Sequence, residues 1–122
     1  MVVCLSGHAY VKAKLTSPLT DESVVVESLV DTGATFTTIP ANIGERLKLQ
    51  PVTKRRVRTA DGKVELLESY LLIEVLDEKT TTPVLISEGL DSVLIGALTL
   101  EALALKVDPR TGKLEKTELL LL

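Results

Sequence analysis

The stretch Leu-Val-Asp-Thr-Gly-Ala-Thr-Phe, residues 29–36, decides how the rest of the chain is interpreted. A run over 23–30, rich in β-branched residues, predicts a strand that leads directly into Asp31. Gly33 permits a tight turn with close approach of the backbone, so turn amides can donate hydrogen bonds to the Asp31 carboxylate. The Thr32 hydroxyl can hold the loop in place. The pattern therefore predicts a rigidly held carboxylate at a strand end.

Asp-Thr-Gly alone is also a common turn tripeptide with a purely structural role. Two further features of the sequence favour a functional loop. The pattern continues as Asp-Thr-Gly-Ala-x-x-Thr-x-Ile over 31–39. A second motif, Leu-Ile-Gly at 94–96, stands just before a predicted short helix, about 60 residues later.

Composition narrows the class of protein. The 122 residues suit one domain, 1–122. Aromatic residues make up only 2% of the chain, so the core must be aliphatic and few rings are available to stack bases. The formal net charge is -3, and the one basic cluster, 54–58, falls in a predicted strand whose side chains alternate between faces. A nucleic-acid partner is therefore not expected.

The cysteine and histidine content disfavours metal and disulfide chemistry. Cys4 is the only cysteine, so no intrachain disulfide can form, which fits a reducing, cytoplasmic location. His8 is the only histidine, and one histidine with one cysteine is not a metal-binding cluster. No phosphate loop is present, and no apolar run is long enough for a membrane span or a signal peptide. We expect no metal, no cofactor and no membrane partner.

The remaining sequence predicts many strands and two short helices. One helix opens at Pro40-Ala41-Asn42 and is stopped by Pro51, and the other covers 98–105. Asp61-Gly62 predicts a two-residue hairpin turn. Strands are predicted over 2–14 with a bend near Gly7, 23–30, 35–39, 52–60, 63–76, 83–87, 92–95 and 113–122. Such a chain favours a closed or strongly curved all-β domain.

These motifs, in this order, resemble the retropepsin-like (clan AA) aspartic peptidases over almost the whole chain. The closest likeness is to the single-domain members of archaeal and bacterial genomes, which are related to retroviral proteases. Residues 31–34 resemble the active-site loop, 57–63 the flap hairpin and 94–96 the apolar-apolar-glycine motif. Residues 100–103 followed by 107–109 resemble the tail of the cellular branch. The resemblance implies a closed all-β barrel with a flap hairpin and one or two short helices.

Two positions depart from the viral pattern. Many viral members carry an acidic residue two positions after the loop glycine, where this chain has Thr35. They often carry an arginine after the later glycine, where this chain has Ala97. In viral members these two positions form a salt bridge. This chain lacks both partners of that salt bridge. The flap also has one glycine, Gly62, where viral flaps have several.

The resemblance also implies an activity and its residues. The activity is aspartic endopeptidase cleavage of a peptide or protein substrate. Asp31, Thr32 and Gly33 are expected to be catalytic. Ile95, with Val30 and Ile39, is expected to line apolar pockets. Asp61 is expected to be a turn residue in the first place, and contact with the substrate is the alternative role. The expected substrate-binding residues are Ala34, Thr59, Ala60, Asp61, Gly62 and Ile95.

The chain carries only one Asp-Thr-Gly loop, and this has a consequence for assembly. The reaction needs two carboxylates around one water, and a single copy of the chain supplies only Asp31. A symmetric homodimer would place two Asp31 side chains together on its axis. The four leucines at 119–122 would present apolar side chains on both faces of a strand, which favours burial at a subunit interface over burial within the domain.

Two other interpretations stay open at this stage. A non-catalytic module could keep the same fold for dimerisation or peptide binding, since fold alone does not establish turnover. A structural β-domain with an incidental turn motif would place Asp31 far from any symmetry axis. Peptide cleavage and mass in solution separate these alternatives from the peptidase.

Overall fold

The computed structural model describes residues 3–5 and 8–118 of the chain. Within these residues ten strands and two short helices follow one another. The strands are β1 (Val3–Leu5), β2 (His8–Thr16), β3 (Ser23–Val30), β4 (Thr37–Pro40), β5 (Thr53–Thr59), β6 (Gly62–Val75), β7 (Glu78–Ser87), β8 (Val93–Ile95), β9 (Leu105–Val107) and β10 (Leu114–Lys116). The helices are α1 (Ala41–Arg46), after β4, and α2 (Ala97–Ala102), after β8.

Six strands close into a barrel in the order β2-β3-β8-β4-β7-β6. The barrel closes because β6 pairs back onto β2, with Leu72–Glu74 against Lys14–Thr16. Strands β1 and β5 extend the sheet beyond β2 and β6. The β3–β8 and β4–β7 pairs are parallel, whereas the other barrel pairs are antiparallel. The predicted closed all-β barrel with two short helices is confirmed.

The core is aliphatic, as the composition predicts. Alternate residues of the long strands point inward, because successive side chains of a strand face opposite sides of the sheet. Strand β2 contributes Val11, Ala13 and Leu15, and β6 contributes residues 71, 73 and 75. Leu47 and Leu103, which follow the two helices, are buried in the same cluster. Each such burial stabilises the fold by roughly 1.5–3 kcal/mol.

Both helices are shorter than the periodicity predicts. The α1 helix starts after Pro40 as expected, but it ends at Arg46, and Lys48 turns the chain at φ 54°. Helix α2 ends at Ala102 instead of continuing to Leu105, because Ala104 adopts a φ of 57°. The chain then returns as β9.

The tip of the β5–β6 hairpin differs by one residue from the predicted turn. Thr59 pairs with Gly62, so Ala60 and Asp61 are the central residues, not Asp61-Gly62. The Thr59 hydroxyl donates to the Gly62 carbonyl at 3.0 Å and accepts from the Asp61 amide at 3.2 Å. Only Gly62 needs a positive φ here, at 122°, and this explains why the glycine stands after the turn.

A second hairpin was missed by the sequence interpretation. Leu76 and Asp77 join β6 to β7 with φ angles of 50° and 68°, so β7 begins at Glu78 and not at Pro83. A turn of this kind usually carries asparagine or glycine, because positive φ is costly for other residues. Neither residue type is present at these two positions, so the usual signal was absent.

Two predictions fall outside the described residues: the bend near Gly7 and the last part, 119–122, of the strand predicted over 113–122. The last described strand, β10, ends at Lys116. Within the described part of the chain, no helix has the length and apolar character needed to span a membrane.

Candidate active site

Asp31 stands immediately after β3, at the start of a hydrogen-bonded loop. Its amide donates to the carbonyl of Ile95 at 2.9 Å, which ties the loop to β8. The Ala34 amide donates to the Asp31 carbonyl at 3.2 Å, and the Gly33 amide donates to Asp31 Oδ1 at 2.9 Å. The carboxylate is therefore held by its own turn while its side chain stays partly exposed.

The segment after β8 crosses this loop at close range. The Ala97 amide donates to the Ala34 carbonyl at 2.8 Å, and the Leu98 amide donates to the Thr35 carbonyl at 3.0 Å. A Cβ atom on Gly96 would lie 2.6 Å from the carbonyl carbon and oxygen of Phe36. Glycine is therefore required where the two segments cross. Backbone hydrogen bonds join the segments at the two positions, Thr35 and Ala97, that carry an ion pair in viral members.

Three buried threonines lie beneath the crossing and were missed by the sequence interpretation. Thr37 Oγ1 accepts from the Gly96 amide at 3.1 Å and lies 2.6 Å from Thr99 Oγ1. Thr99 Oγ1 lies 2.8 Å from Thr82 Oγ1. The hydroxyls thus join β4, α2 and β7 under the loop. The three residues are far apart in sequence, so only the fold reveals that they meet.

The predicted catalytic residues form a compact exposed group. Thr32 and Gly33 are exposed, and Asp31 and Ala34 are partly buried. Thr32 opens onto a cleft of about 540 Å³ that is lined by residues of α2 and β9 and by Pro109. A single chain thus offers one carboxylate beside an open groove, which is half of the two-carboxylate arrangement that the chemistry needs.

The predicted substrate residues of the hairpin meet at its tip, away from this loop. Thr59 and Asp61 line a cleft of about 860 Å³ between the β5–β6 hairpin, α1 and the end of β7. No residue of 31–34 lines that cleft. Within the described single chain, the hairpin tip and the Asp31 loop therefore open onto different clefts.

The expected pocket role of Ile95 is wrong in this structure. Its side chain is 0% exposed, and Val30 and Ile39 are also buried in the barrel core. Only the Ile95 backbone takes part in the site, as the acceptor for Asp31. The reason is strand alternation: the neighbouring Leu94, with Thr38, occupies the opposite face and is partly exposed.

A charged contact at the base of the hairpin was also missed. Arg55 Nε on β5 donates to Glu68 Oε1 on β6, and the guanidinium lies 5.4 Å from the centroid of the Phe36 ring. The hydrogen bond to Glu68, with the attraction of its charge, raises the pKa of Arg55 above its ordinary value. Arg55 therefore stays protonated, and it connects the hairpin to the loop that carries Asp31.

No metal centre is found in residues 3–5 and 8–118. Histidine, cysteine, aspartate and glutamate nowhere gather there in a group of three or more that could hold a metal ion.

Comparison with known proteins places these features in a family. A family model described as "gag-polyprotein putative aspartyl protease" matches residues 21–102, which include the Asp31 loop, the hairpin and the Leu-Ile-Gly motif. The structure is similar to the solution structure of simian foamy virus (mac) protease, with a TM-score of 0.58 and 22% identity over 75% of this chain and 91% of that chain.

A second similar structure is EIAV protease complexed with the inhibitor HBY-793. The TM-score is 0.66 and the identity 18%, over 99% of this chain and 100% of that chain. Comparison with curated proteins gave no match. The two structural likenesses show a shared retroviral protease fold. Because the family model covers more than half of the chain, the protein belongs to the gag-polyprotein aspartyl protease family.

Proposed function

We propose that the protein is an aspartic endopeptidase that acts as a symmetric homodimer with one Asp31 from each subunit. One observation carries the proposal. The Asp31 loop is fixed by backbone bonds to Ile95 and Ala34, while its carboxylate keeps a partly exposed face next to an open groove. This is the arrangement that a reacting carboxylate requires, because rigid placement lowers the cost of reaching the transition state.

The chemistry follows from placing two such carboxylates on one axis. Two carboxylates about 3 Å apart cannot both ionise, so the pair shares one proton, as in aspartic proteases generally. The ionised Asp31 takes a proton from a water held between them, and that water attacks the peptide carbonyl carbon. The protonated Asp31 donates to the carbonyl oxygen. Thr32 would form a hydrogen bond across the two-fold axis. The backbone carbonyl of Gly33 would accept a hydrogen bond from an amide of the substrate.

Substrate binding would use the β5–β6 hairpin as a flap. An extended peptide between the hairpin tip, Thr59–Gly62, and the loop at Ala34 would gain backbone hydrogen bonds by strand addition. On the sheet face opposite the core, Leu94 and Thr38 replace Ile95 as the proposed pocket lining, because they are partly exposed. Apolar substrate side chains would fit this surface.

We place the protein in the cellular branch of the family because Thr35 and Ala97 replace the viral ion pair. The leucines at 119–122 are proposed to join the subunit interface, because they would present apolar side chains on both faces of a strand.

Substitution of Asp31 tests the proposal. We expect Asp31→Asn to lower peptide cleavage between about pH 3 and pH 7 by at least about 10³-fold, because the dyad loses its ionisable pair. Cleavage is measured on a peptide library by mass spectrometry. The control is Asp91→Asn, which removes an exposed aspartate that lacks the Thr-Gly sequence.

Undiminished cleavage by Asp31→Asn would contradict the proposal. A wild-type dimer that binds peptides and never cleaves them would favour the non-catalytic module.

A further inference from the structure

Glu68 is a buried carboxylate with a single charged partner. It is 3% exposed, and its Oε1 accepts from Arg55 Nε. Burying a carboxylate is costly unless it is paired, so Glu68 holds the guanidinium in a defined position. The Arg55 side chain is itself 52% exposed. Because its guanidinium is held at Nε and is otherwise exposed to solvent, Arg55 can donate hydrogen bonds to a further acceptor, such as a carboxylate.

The Phe36 ring makes a second contact with this guanidinium. Its ring lies on the loop that carries Asp31, and the guanidinium carbon is 5.4 Å from the ring centroid. Such cation–π contacts favour a cation over the face of the ring. Arg55 is therefore held between the hairpin and the active-site loop, at the side of the space between them.

The strand registers place Arg55 on the same sheet face as the partly exposed residues Leu29, Leu94 and Thr38 near Asp31. A row of directly paired residues crosses five strands: Leu29, Leu94, Thr38, Leu85 and Glu68. Leu29 begins this row two residues before Asp31. Arg55 pairs with Leu66, the same-face neighbour of Glu68 on β6, so its side chain lies at the far end of the row.

The donors of Arg55 are not all used. A guanidinium has five N–H donors in a planar fork, and Nε is the one that bonds Glu68. Among the described residues, the terminal nitrogens have no protein acceptor within hydrogen-bond distance. Glu68 offsets the charge of Arg55, and the other four cations of the hairpin over 53–68 alternate onto the opposite sheet face: Lys54, Arg56, Arg58 and Lys63. Arg55 is therefore the one cation of the hairpin whose free donors lie on this face.

We propose that Arg55 is a specificity-determining residue that binds an acidic side chain of the peptide substrate, oriented by Glu68 and Phe36. The inference rests on the proposed peptidase function. The planar fork suits a carboxylate, which accepts two parallel N–H bonds. Substrates with glutamate or aspartate near the cleaved bond are then favoured over their amide counterparts.

Matched peptides test this inference on the full chain. The probes are decapeptides with a central Leu-Leu pair in a serine and alanine background, each with one Glu or one Gln at a defined position within four residues of the centre. At pH 6 we expect the Glu peptide to exceed the Gln peptide in kcat/KM by about 10-fold at one or two positions. The ratio should shrink below about pH 4.3, where a glutamate side chain takes up its proton.

Three variants assign the preference to its residue. Arg55→Leu combined with Glu68→Gln removes both charges, so no buried carboxylate is left unpaired, and we expect the ratio to fall within about 2-fold of unity. Arg55→Lys should retain a reduced preference, because lysine keeps the charge without the fork. The matched control is Arg56→Leu, since Arg56 is exposed on the opposite face of β5 and should leave the ratio unchanged.

No Glu preference at any position in the wild type would overturn the inference. A preference that persists in the double variant would also overturn it. Failure of this inference can be distinguished from failure of the peptidase proposal. If no probe is cleaved, the same peptides carrying a fluorescent label are titrated with the Asp31→Asn variant, and fluorescence anisotropy gives the ratio of the Glu-peptide affinity to the Gln-peptide affinity without turnover. A ratio near unity in that variant counts against the Arg55 site.

Discussion

Gly96 and Asp31 belong to one small unit in which each residue is needed for a different physical reason. Asp31 receives the Gly33 amide on its carboxylate, and its own amide is anchored to Ile95. Gly96 allows the next segment to cross against Phe36, where any side chain would collide with backbone. The glycine of the Leu-Ile-Gly motif therefore keeps the loop in place without touching a substrate.

Substitution of Gly96 should be costly in a way that another glycine substitution is not. In Gly96→Ala the new Cβ would lie 2.6 Å from Phe36 backbone atoms, so we expect a loss of about 2–3 kcal/mol in the free energy of unfolding. The control is Gly89→Ala, where no atom lies within 4 Å of the new Cβ. Urea unfolding measures both. Equal stability of the two variants would contradict this account of the crossing.

Single residues also mark how far the sequence could predict the site. The positions of Asp31 and Gly96 follow from local motifs, so the sequence alone can single both out. Ile95 was assigned to a pocket, but the alternation of β8 puts Leu94 on the accessible face. A turn at Asp61-Gly62 would pair Arg55 directly with Glu68, whereas the observed turn at Ala60-Asp61 shifts its partner by two residues, to Leu66, and makes Glu68 a diagonal neighbour.

At the scale of elements, α2 is tied to the barrel by hydroxyl groups. Thr99 on α2 bonds Thr37 on β4 and Thr82 on β7, and Thr37 also accepts from Gly96. A helix of this length gains little stability from its own hydrogen bonds, so its tertiary contacts decide where it sits. The network therefore sets the position of α2 under the active-site loop.

Removal of the central hydroxyl should weaken this attachment. Thr99→Val keeps the shape but removes one hydrogen-bond partner from each of two buried hydroxyls, those of Thr37 and Thr82, and we expect a loss of about 1–3 kcal/mol in unfolding free energy. Thr99→Ser should recover most of it, because the hydroxyl returns. Thr81→Val, an exposed change on β7, is the control and should stay within about 0.5 kcal/mol of wild type in thermal unfolding. A Thr99→Val variant as stable as this control would show that the network contributes nothing.

The elements were predicted well where local signals are strong. The span of β3 and the start of α1 agree with the sequence prediction. The β6–β7 hairpin was missed because Leu76 and Asp77 adopt positive φ without glycine or asparagine. Tertiary pairing over ten-residue strands outweighs that local cost, and a sequence read locally cannot show such compensation.

At the scale of the whole molecule, the barrel explains why one chain holds half a site. Strands β3 and β8 run parallel and bring Asp31 and Gly96 to the same end of the barrel, where Thr32 is exposed. The sequence has one Asp-Thr-Gly, so the proposed mechanism takes its second carboxylate from a second copy of the chain. The central claim is therefore that every active site contains two Asp31 side chains.

Mixing wild type with the Asp31→Asn variant tests this claim most directly. The two proteins are exchanged to equilibrium at fixed total concentration, and the cleavage rate of one peptide is followed against the wild-type fraction. If each site needs two Asp31 carboxylates, the rate falls as the square of that fraction, so an equal mixture retains about a quarter of the activity. A linear decline, with about half of the activity retained, would contradict the shared site.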